Sequence, residues 1–190
     1  QAMPNECWQA DITHLYLADT TRIEVLDFLD DHSRYLLSIT AAAAFSGTQV
    51  AEELSRLIAE YGPPASTLTD NGLVFTARLA GRKGGRNAFE KVLNANKIQQ
   101  KNGRPGHPQT QGKIERFHQT LKKWINARPP AKTVADLQTL LNEFRDYYNT
   151  TRPHKALGRR TPHQAYTTGT KANPAPVSYT HLRAHETVLD

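Results

Sequence analysis

Hydrophobic and polar residues roughly alternate along three consecutive stretches near the start of the chain, at 8–17, 22–29 and 35–42. Alternation with a period of two is typical of strands that have one face on a core. Turn-forming residues separate the stretches at 18–20 and 30–33, so the connections between them are short. The pattern therefore predicts three antiparallel strands in a meander.

The middle of the chain switches to helical spacing and back. Ser46 and Gln49 have the spacing of a capping box, followed by apolar residues at 50, 54, 57 and 58 and by a stop at 62–64. A short strand is predicted at 66–69, a short helix around 89–93 and a last brief strand at 97–100. This order of elements indicates an α/β protein.

Two helices are predicted in the last third of the chain. The first follows a loop at 102–112 that is rich in glycine and proline, and its apolar stripe consists of Ile114, Phe117, Leu121, Trp124 and Ile125. Thr133 is the predicted cap of the second helix, whose apolar stripe runs from 137 to 148. Residues 149–166 are predicted to be irregular and basic, and periodicity disappears after about 167.

Three carboxylates stand out from this pattern. Asp11 interrupts the first strand, Asp70 follows the fourth strand, and Glu115 lies on the helix after the fifth. Each has an ordinary structural explanation, respectively a solvated sheet face, an Asp-Asn-Gly turn and a solvated helix face. A carboxylate at the carboxyl end of a strand also lies where α/β sheets place their chemistry. Asp30 and Asp31 are better explained as turn residues than as metal ligands.

Composition narrows the class of protein. The 190 residues, with 38% hydrophobic and 22% charged residues, suit one globular domain. No apolar run is long enough for a membrane span, and a single cysteine fits a reducing compartment, so a cytoplasmic location is expected. The net charge of +6 and a pI near 9.5 favour a polyanionic partner, with nucleic acid first.

Basic and polar residues supply candidate DNA contacts. The Gly- and Arg-rich segment 78–87, with Arg82, Lys83 and Arg86, is interpreted as a phosphate-contacting loop or as solubilising surface charge. On the Glu115 helix, the candidates are Lys113, His118, Gln119, Lys122 and Lys123. His118 has an equally plausible explanation as a surface histidine with a structural partner.

Several motifs together resemble a known family. They are Trp8-Gln-Ala-Asp11-Ile-Thr, Asp30-Asp-His-Ser-Arg34, Thr69-Asp-Asn-Gly72, Gly106-His-Pro-Gln-Thr-Gln-Gly-Lys-Ile-Glu-Arg-Phe-His118, Tyr148-Asn149 and Arg152-Pro-His154. Over residues 4–166 the chain resembles the catalytic core of D-D-E integrases and transposases, in particular those of bacterial insertion sequences. The resemblance implies a ribonuclease H-like α/β fold, with a mixed sheet of three antiparallel strands then two parallel ones, flanked by helices.

The resemblance also implies a function and a site. Asp11, Asp70 and Glu115 would be the catalytic and metal-binding residues, holding two Mg²⁺ or Mn²⁺ ions for DNA cleavage and strand joining. Gly106, His107, Gln109, Gln111 and Gly112 would form an active-site loop. DNA ends and target DNA would be the partners of a homodimer or higher oligomer, and no membrane association is expected.

The sequence predicts where the domain ends and leaves alternative functions open. The core is predicted at 1–168 and an irregular tail at 169–190, with non-native sequence as one interpretation of the tail. The spacing from Asp70 to Glu115 is longer than is usual in the family, and the excess falls in the Gly- and Arg-rich segment. A ribonuclease H-like nuclease and a truncated, inactive DNA-binding module are the alternative functions.

Overall fold

A mixed five-stranded sheet forms the centre of the computed structural model, which describes residues 1–76, 85–102 and 108–175. The strands are β1 (Trp8–Tyr16), β2 (Arg22–Asp30), β3 (Leu36–Ala42), β4 (Ser66–Thr69) and β5 (Gln99–Asn102). Their order is β3-β2-β1-β4-β5, with β1, β2 and β3 antiparallel and with β4 parallel to both β1 and β5. The predicted sheet is confirmed.

Helices cover the sheet. They are α1 (Gly47–Tyr61), α2 (Ala88–Ala95), α3 (Pro108–Asn126), α4 (Val134–Asp146) and α5 (Pro162–Thr167), with a π turn at Tyr147–Thr151 and a 3₁₀ turn at Lys155–Leu157. The capping box of Ser46 and Gln49 is present at α1, and Thr133 caps α4 as predicted. Among the described helices, none is both long and apolar enough to cross a membrane.

The two faces of the sheet bury two separate hydrophobic clusters. Val25 and Leu29 of β2 pack with α3 and α4, whereas Leu26 and Phe28 pack with α1 and α2. Successive side chains of a strand point to opposite faces, so this division fixes the face of every residue on β2. On β1, Leu15 belongs to the first cluster and Ala10 to the second. Asp11 and Asp27 therefore lie on the face that α3 covers.

Three local predictions differ from the structure. Helix α3 begins at Pro108, so Gln109, Gln111 and Gly112 lie in its first turns and not in a loop. Proline costs little at the first helical position, because its missing N–H would have no partner there. The last strand lies at 99–102, where it pairs with β4, and not at 97–100.

The third difference concerns residues 149–166, which are not wholly irregular. Thr161 and Gln164 form a capping box with Pro162 at the start of α5. The Asn149 side chain is buried, accepts a hydrogen bond from the Leu36 backbone N–H and donates one to the Leu36 carbonyl. Residues 169–175 have no helix or strand, and the Ala172 N–H donates to the Pro4 carbonyl at 2.8 Å.

Candidate active site

Asp11 and Asp70 are brought together by the pairing of two parallel strands. The register of β1 with β4 pairs Trp8 with Thr67, Gln9 with Leu68 and Ala10 with Thr69. Continuing by one residue puts Asp70 opposite Asp11, and neighbouring strands lie about 4.8 Å apart. The negative charge of Asp70 accordingly contributes to the pKa of Asp11. Two of the three carboxylates singled out in the sequence are thus neighbours.

A further carboxylate, Asp27, lies on the other side of Asp11. It faces Asp11 in the antiparallel register of β1 and β2 and is completely buried. Three aspartates therefore form a row across β2, β1 and β4. Asp27 was not among the candidate site residues predicted from the sequence. The available signal was an aspartate inside the apolar stretch Val25-Leu-Asp-Phe-Leu29, which must find a partner if it is buried.

His118 of α3 is the partner of Asp27. Its Nε2 lies 2.7 Å from Asp27 Oδ2, and its Nδ1 lies 3.9 Å from Asp11 Oδ2. Burial alone would lower the pKa of His118, but the charges of Asp27 and Asp11 and the hydrogen bond to Asp27 raise it above its ordinary value. The imidazole thus connects the helix to two carboxylates of the sheet. This contact is the structural alternative left open for His118, although the side chain is only 13% exposed and is not on the surface.

The carboxyl group of Asp11 is under electrostatic strain. Burial, and then the charge of Asp27, raise its pKa to about 6, with a smaller contribution from Asp70, while His118 and the Ile12 backbone N–H oppose the increase. The loss of hydration on burial is the largest of the effects that favour the protonated form of Asp11. A cation bound at this position would relieve both the desolvation and the repulsion among the carboxylates.

Asp70 combines a turn with a place in this row. Its Oδ1 accepts a hydrogen bond from the Gly72 backbone N–H at 2.9 Å, as expected of an Asp-Asn-Gly turn. A Cβ added at Gly72 would lie 2.9 Å from the same oxygen, so only glycine leaves the Asp70 carboxylate undisturbed. The carboxylate is exposed to solvent, which leaves it accessible to a ligand.

Glu115 lies on α3, one turn before His118, and is exposed. Residues three apart on a helix share a face and are separated by about 4.5 Å along the axis. Because His118 reaches Asp11, this face of α3 passes beside the row of aspartates. Within the described part of the chain, however, no three His, Cys, Asp or Glu side chains are close enough to hold a metal ion.

The predicted DNA contacts have different environments. The Lys113 ammonium lies 2.7 Å from Asp31 Oδ2 and is therefore paired. Gln119, Lys122, Lys123 and Arg86 are exposed. Arg82, Lys83, Gly106 and His107 lie outside the described residues, as do the side chains of Gln109 and Gln111. Asp30 serves its predicted turn, because it accepts hydrogen bonds from the backbone N–H and the hydroxyl of Ser33.

Family models and individual relatives agree on the family that this chain is similar to. Two models, both described as "Integrase core domain", match residues 1–108 and 96–162. The "Insertion element IS476 uncharacterized 39.2 kDa protein" of Xanthomonas euvesicatoria is 29% identical over 86% of this chain and 44% of its own length. The corresponding IS407 protein of Burkholderia multivorans is 27% identical over 94% of this chain and 61% of its own length. The chain thus spans about half the length of these relatives.

Solved structures share the fold. The HTLV-2 integrase catalytic core domain in complex with magnesium has a TM-score of 0.66 at 18% identity, covering 87% of this chain and 99% of that one. A chain of the simian T-cell lymphotropic virus intasome has a TM-score of 0.70 at 20% identity, covering 95% and 62%. The ribonuclease H-like fold is confirmed. The chain belongs to the integrase core domain family, the catalytic domain of transposases and integrases.

Proposed function

We propose that this domain cleaves DNA at the ends of a mobile element and joins the resulting 3′-hydroxyl to target DNA. The observation that carries the proposal is the register that sets Asp11 beside Asp70, with α3 and its Glu115 running alongside. This arrangement concentrates carboxylates at an accessible point of the sheet. Membership of the integrase core family supports phosphoryl transfer over other uses of such a site.

The donor set suits hard divalent cations. Asp11 and Asp70 offer carboxylate oxygens, which Mg²⁺ and Mn²⁺ prefer, and a bound cation would offset the burial and the repulsion that raise the pKa of Asp11. Glu115 would complete the set from α3. Two ions, when bound, neutralise charge on the phosphate and align the attacking and leaving oxygens. The magnesium complex of the HTLV-2 core supports this choice of metal.

The residues around the carboxylates would keep the site in place. His118 donates to the buried Asp27 and approaches Asp11, so it holds α3 in register with the sheet. The apolar side of α3, with Ile114, Phe117 and Leu121, is buried in the core. Glu115 is therefore presented from a helix that is anchored on two sides, which favours a reproducible geometry.

DNA and further copies of the chain are the proposed partners. Gln119 and Lys122 follow Glu115 on the same helical face, and Lys123 is beside them, so these exposed side chains can contact the DNA backbone. Arg86 is a further exposed cation. Solved relatives include dimeric and trimeric forms of the HTLV-2 core and an intasome. Joining of paired ends would likewise require paired copies of this domain.

Strand transfer by the purified chain tests the function. A labelled element end is incubated with target plasmid and Mg²⁺ or Mn²⁺, and joined products are counted for the unmodified protein, Asp70→Asn and Glu115→Gln. Both variants are expected to lose joining by at least about a hundredfold, since transition-state charge stabilisation of this kind is worth roughly 10²–10³ in rate. The matched control is Glu52→Gln, which changes an exposed carboxylate on α1.

Two results would contradict the proposal. If Asp70→Asn or Glu115→Gln joins DNA as efficiently as the unmodified protein, the substituted residue is not catalytic. Cleavage of RNA–DNA hybrids with no joining of DNA ends would instead favour a ribonuclease H-like nuclease, which has the same fold but a different substrate.

A further inference from the structure

A basic cavity of about 490 Å³ has none of the three aspartates among its lining residues. It is formed by the first half of α3, by the turn that ends at Arg34 and by the segment after α4. Its charged lining residues are Arg34, Lys113, Arg116, Arg152 and Lys155. None of the described residues that line it is acidic. Such a concentration of positive charge favours an anion.

Four of these five cations have no ion-pair partner among the described residues. Within the described part of the chain, Arg34, Arg116, Arg152 and Lys155 take part in no ion pair. Lys113 is the exception, because it pairs with Asp31 at 2.7 Å. Cations that line one cavity repel one another, and a bound anion would offset this repulsion by attracting each of them.

Arg34 shows most clearly that a partner is missing. Its Nη1 is buried and has no hydrogen-bond partner among the described residues. Its backbone has a φ of 63°, a left-handed conformation that costs an arginine free energy. The turn is fixed by Asp30, whose backbone carbonyl accepts the Arg34 N–H at 2.8 Å. A buried N–H group usually has an acceptor. A rotation of the guanidinium would bring this group to a ligand oxygen in the cavity that Arg34 lines.

His154 adds a neutral hydrogen-bonding group at the same place. Burial, followed by the charges of Arg152 and Arg34, lowers the pKa of His154 to about 4. The imidazole is therefore uncharged at neutral pH, and its Nε2 lies 3.3 Å from Nη1 of Arg152. As an acceptor, it can orient that guanidinium at the cavity wall.

The cavity and the carboxylates lie on different faces of α3. Lys113, Arg116 and Thr120 line the cavity and have the spacing of one helical face. Glu115 is two residues from Lys113, which is a rotation of about 200° around the helix. DNA held in the cavity would therefore contact α3 on a side other than the one that carries Glu115.

The cavity continues into a second concave surface. Arg34, Lys113 and Ala156 line both, and Arg160 and His32 extend the second. The second surface also includes Asp31, whose carboxylate is paired with Lys113. A single phosphate would occupy only part of this combined surface. A run of cations along an extended groove instead suits the successive phosphates of a nucleic acid backbone.

We infer that this groove, from Arg116 and Arg152 through Arg34 to Arg160, binds the phosphodiester backbone of a DNA segment other than the one undergoing reaction. The inference rests on the proposed function, because it assigns a second DNA contact to the same enzyme. It adds residues from the β2–β3 turn and the segment after α4, which the sequence analysis did not select as DNA contacts.

Metal-free DNA binding tests the groove without requiring catalysis. Fluorescence anisotropy with a labelled duplex in EDTA is measured over a range of salt for Arg116→Gln and Lys155→Gln, whose exposed side chains can be changed without disturbing the core. Each is expected to weaken binding about threefold or more and to reduce the salt slope by about 0.9. The controls are Lys132→Gln and Lys91→Gln, which remove exposed charges elsewhere and should leave the slope unchanged.

Three outcomes separate the possibilities. Equal DNA affinity and equal salt dependence for the variants and the controls would contradict DNA binding in the groove. This holds even if Asp70→Asn and Glu115→Gln abolish strand transfer. Saturable binding of inorganic phosphate at millimolar concentration, with DNA affinity unaffected by the variants, would identify a free-anion site and also overturn it. Weakened DNA binding by both variants supports the groove, even if the unmodified protein shows no strand transfer and the proposed function fails.

Discussion

At the scale of single residues, the site depends on opposing influences on Asp11. Burial and two neighbouring aspartates disfavour its charge, while His118 favours it. The Asp11 side chain is 28% exposed, so solvent screens part of this effect. The metal-free domain therefore carries a destabilising charge at the place where a cation is proposed to bind.

Asp11→Asn is expected to stabilise the metal-free protein at pH 8. The pKa of Asp11 in the folded protein, about 6, is above its ordinary value of 3.8. The folded protein therefore binds this proton more tightly than the unfolded chain does. This difference favours folding below pH 4, and its contribution to the free energy of unfolding is lost as the pH rises to about 6. Removing the charge should raise the free energy of unfolding at pH 8 by about 1–2 kcal/mol, or Tm by several degrees.

Thermal unfolding in EDTA at pH 8 and pH 4.5 measures this effect. The gain should shrink at pH 4.5, and Glu52→Gln on the α1 surface should show no gain at either pH. A variant that is less stable than the unmodified protein at pH 8 would show that Asp11 is not strained.

The Asp27–His118 pair gives a second prediction at this scale. His118→Ala leaves a completely buried carboxylate without its hydrogen-bond partner, and should cost about 2–4 kcal/mol in urea unfolding. The double variant Asp27→Asn/His118→Ala should recover part of that loss, because the orphaned charge is gone. Strictly additive costs of the two single substitutions would contradict a direct coupling.

At the scale of elements, each of three faces of α3 contributes to a different part of the molecule. One face packs into the core, one carries Glu115 and His118, and one lines the basic groove. The helix continues through Gly112, where an added Cβ would meet no atom of the described residues within 4 Å. That glycine therefore weakens the start of the helix without a packing reason.

Gly112→Ala is expected to stabilise the domain by about 0.5–1 kcal/mol, because alanine has the higher helix propensity. The matched control is Gly158→Ala, since Gly158 has a φ of 61° and a side chain there is strained whatever the space. Chemical denaturation of both variants measures the difference. Destabilisation by Gly112→Ala similar to that of the control would argue against a helix that begins at Pro108.

The elements that sequence reasoning found are those with local signals. Helices α1 and α4 have capping residues and apolar stripes that lie within their own segments. Strand β5 has no such pattern, and its position is set by pairing with β4. Helix α5 has a capping box at Thr161 and Gln164 that was present in the sequence and was missed.

The candidate site was predictable in part for the same reason. Asp11, Asp70 and Glu115 could be selected from motifs, but Asp27 and His118 become partners only through the register of β1 with β2 and the docking of α3. The free charge on Arg34 likewise depends on which residues surround a cavity built from three distant segments. No sequence pattern contains that information.

At the scale of the whole molecule, the net charge of +6 is not spread evenly. Carboxylates form the row on the sheet, while free cations line the groove on another face of α3. This separation would let a negative cluster bind cations and a positive surface bind DNA without mutual neutralisation. The division would suit the cleavage and joining of DNA proposed for this domain.

Asp11, Asp70 and Glu115 are proposed to hold divalent metal ions together. Anomalous diffraction from crystals of this domain soaked in Mn²⁺ tests it most directly. We expect an anomalous peak within coordination distance of Asp11 and Asp70, with the Glu115 carboxylate turned toward them, and loss of the peak in Asp70→Asn crystals. Full Mn²⁺ occupancy at another site, with no density at Asp11, would contradict it.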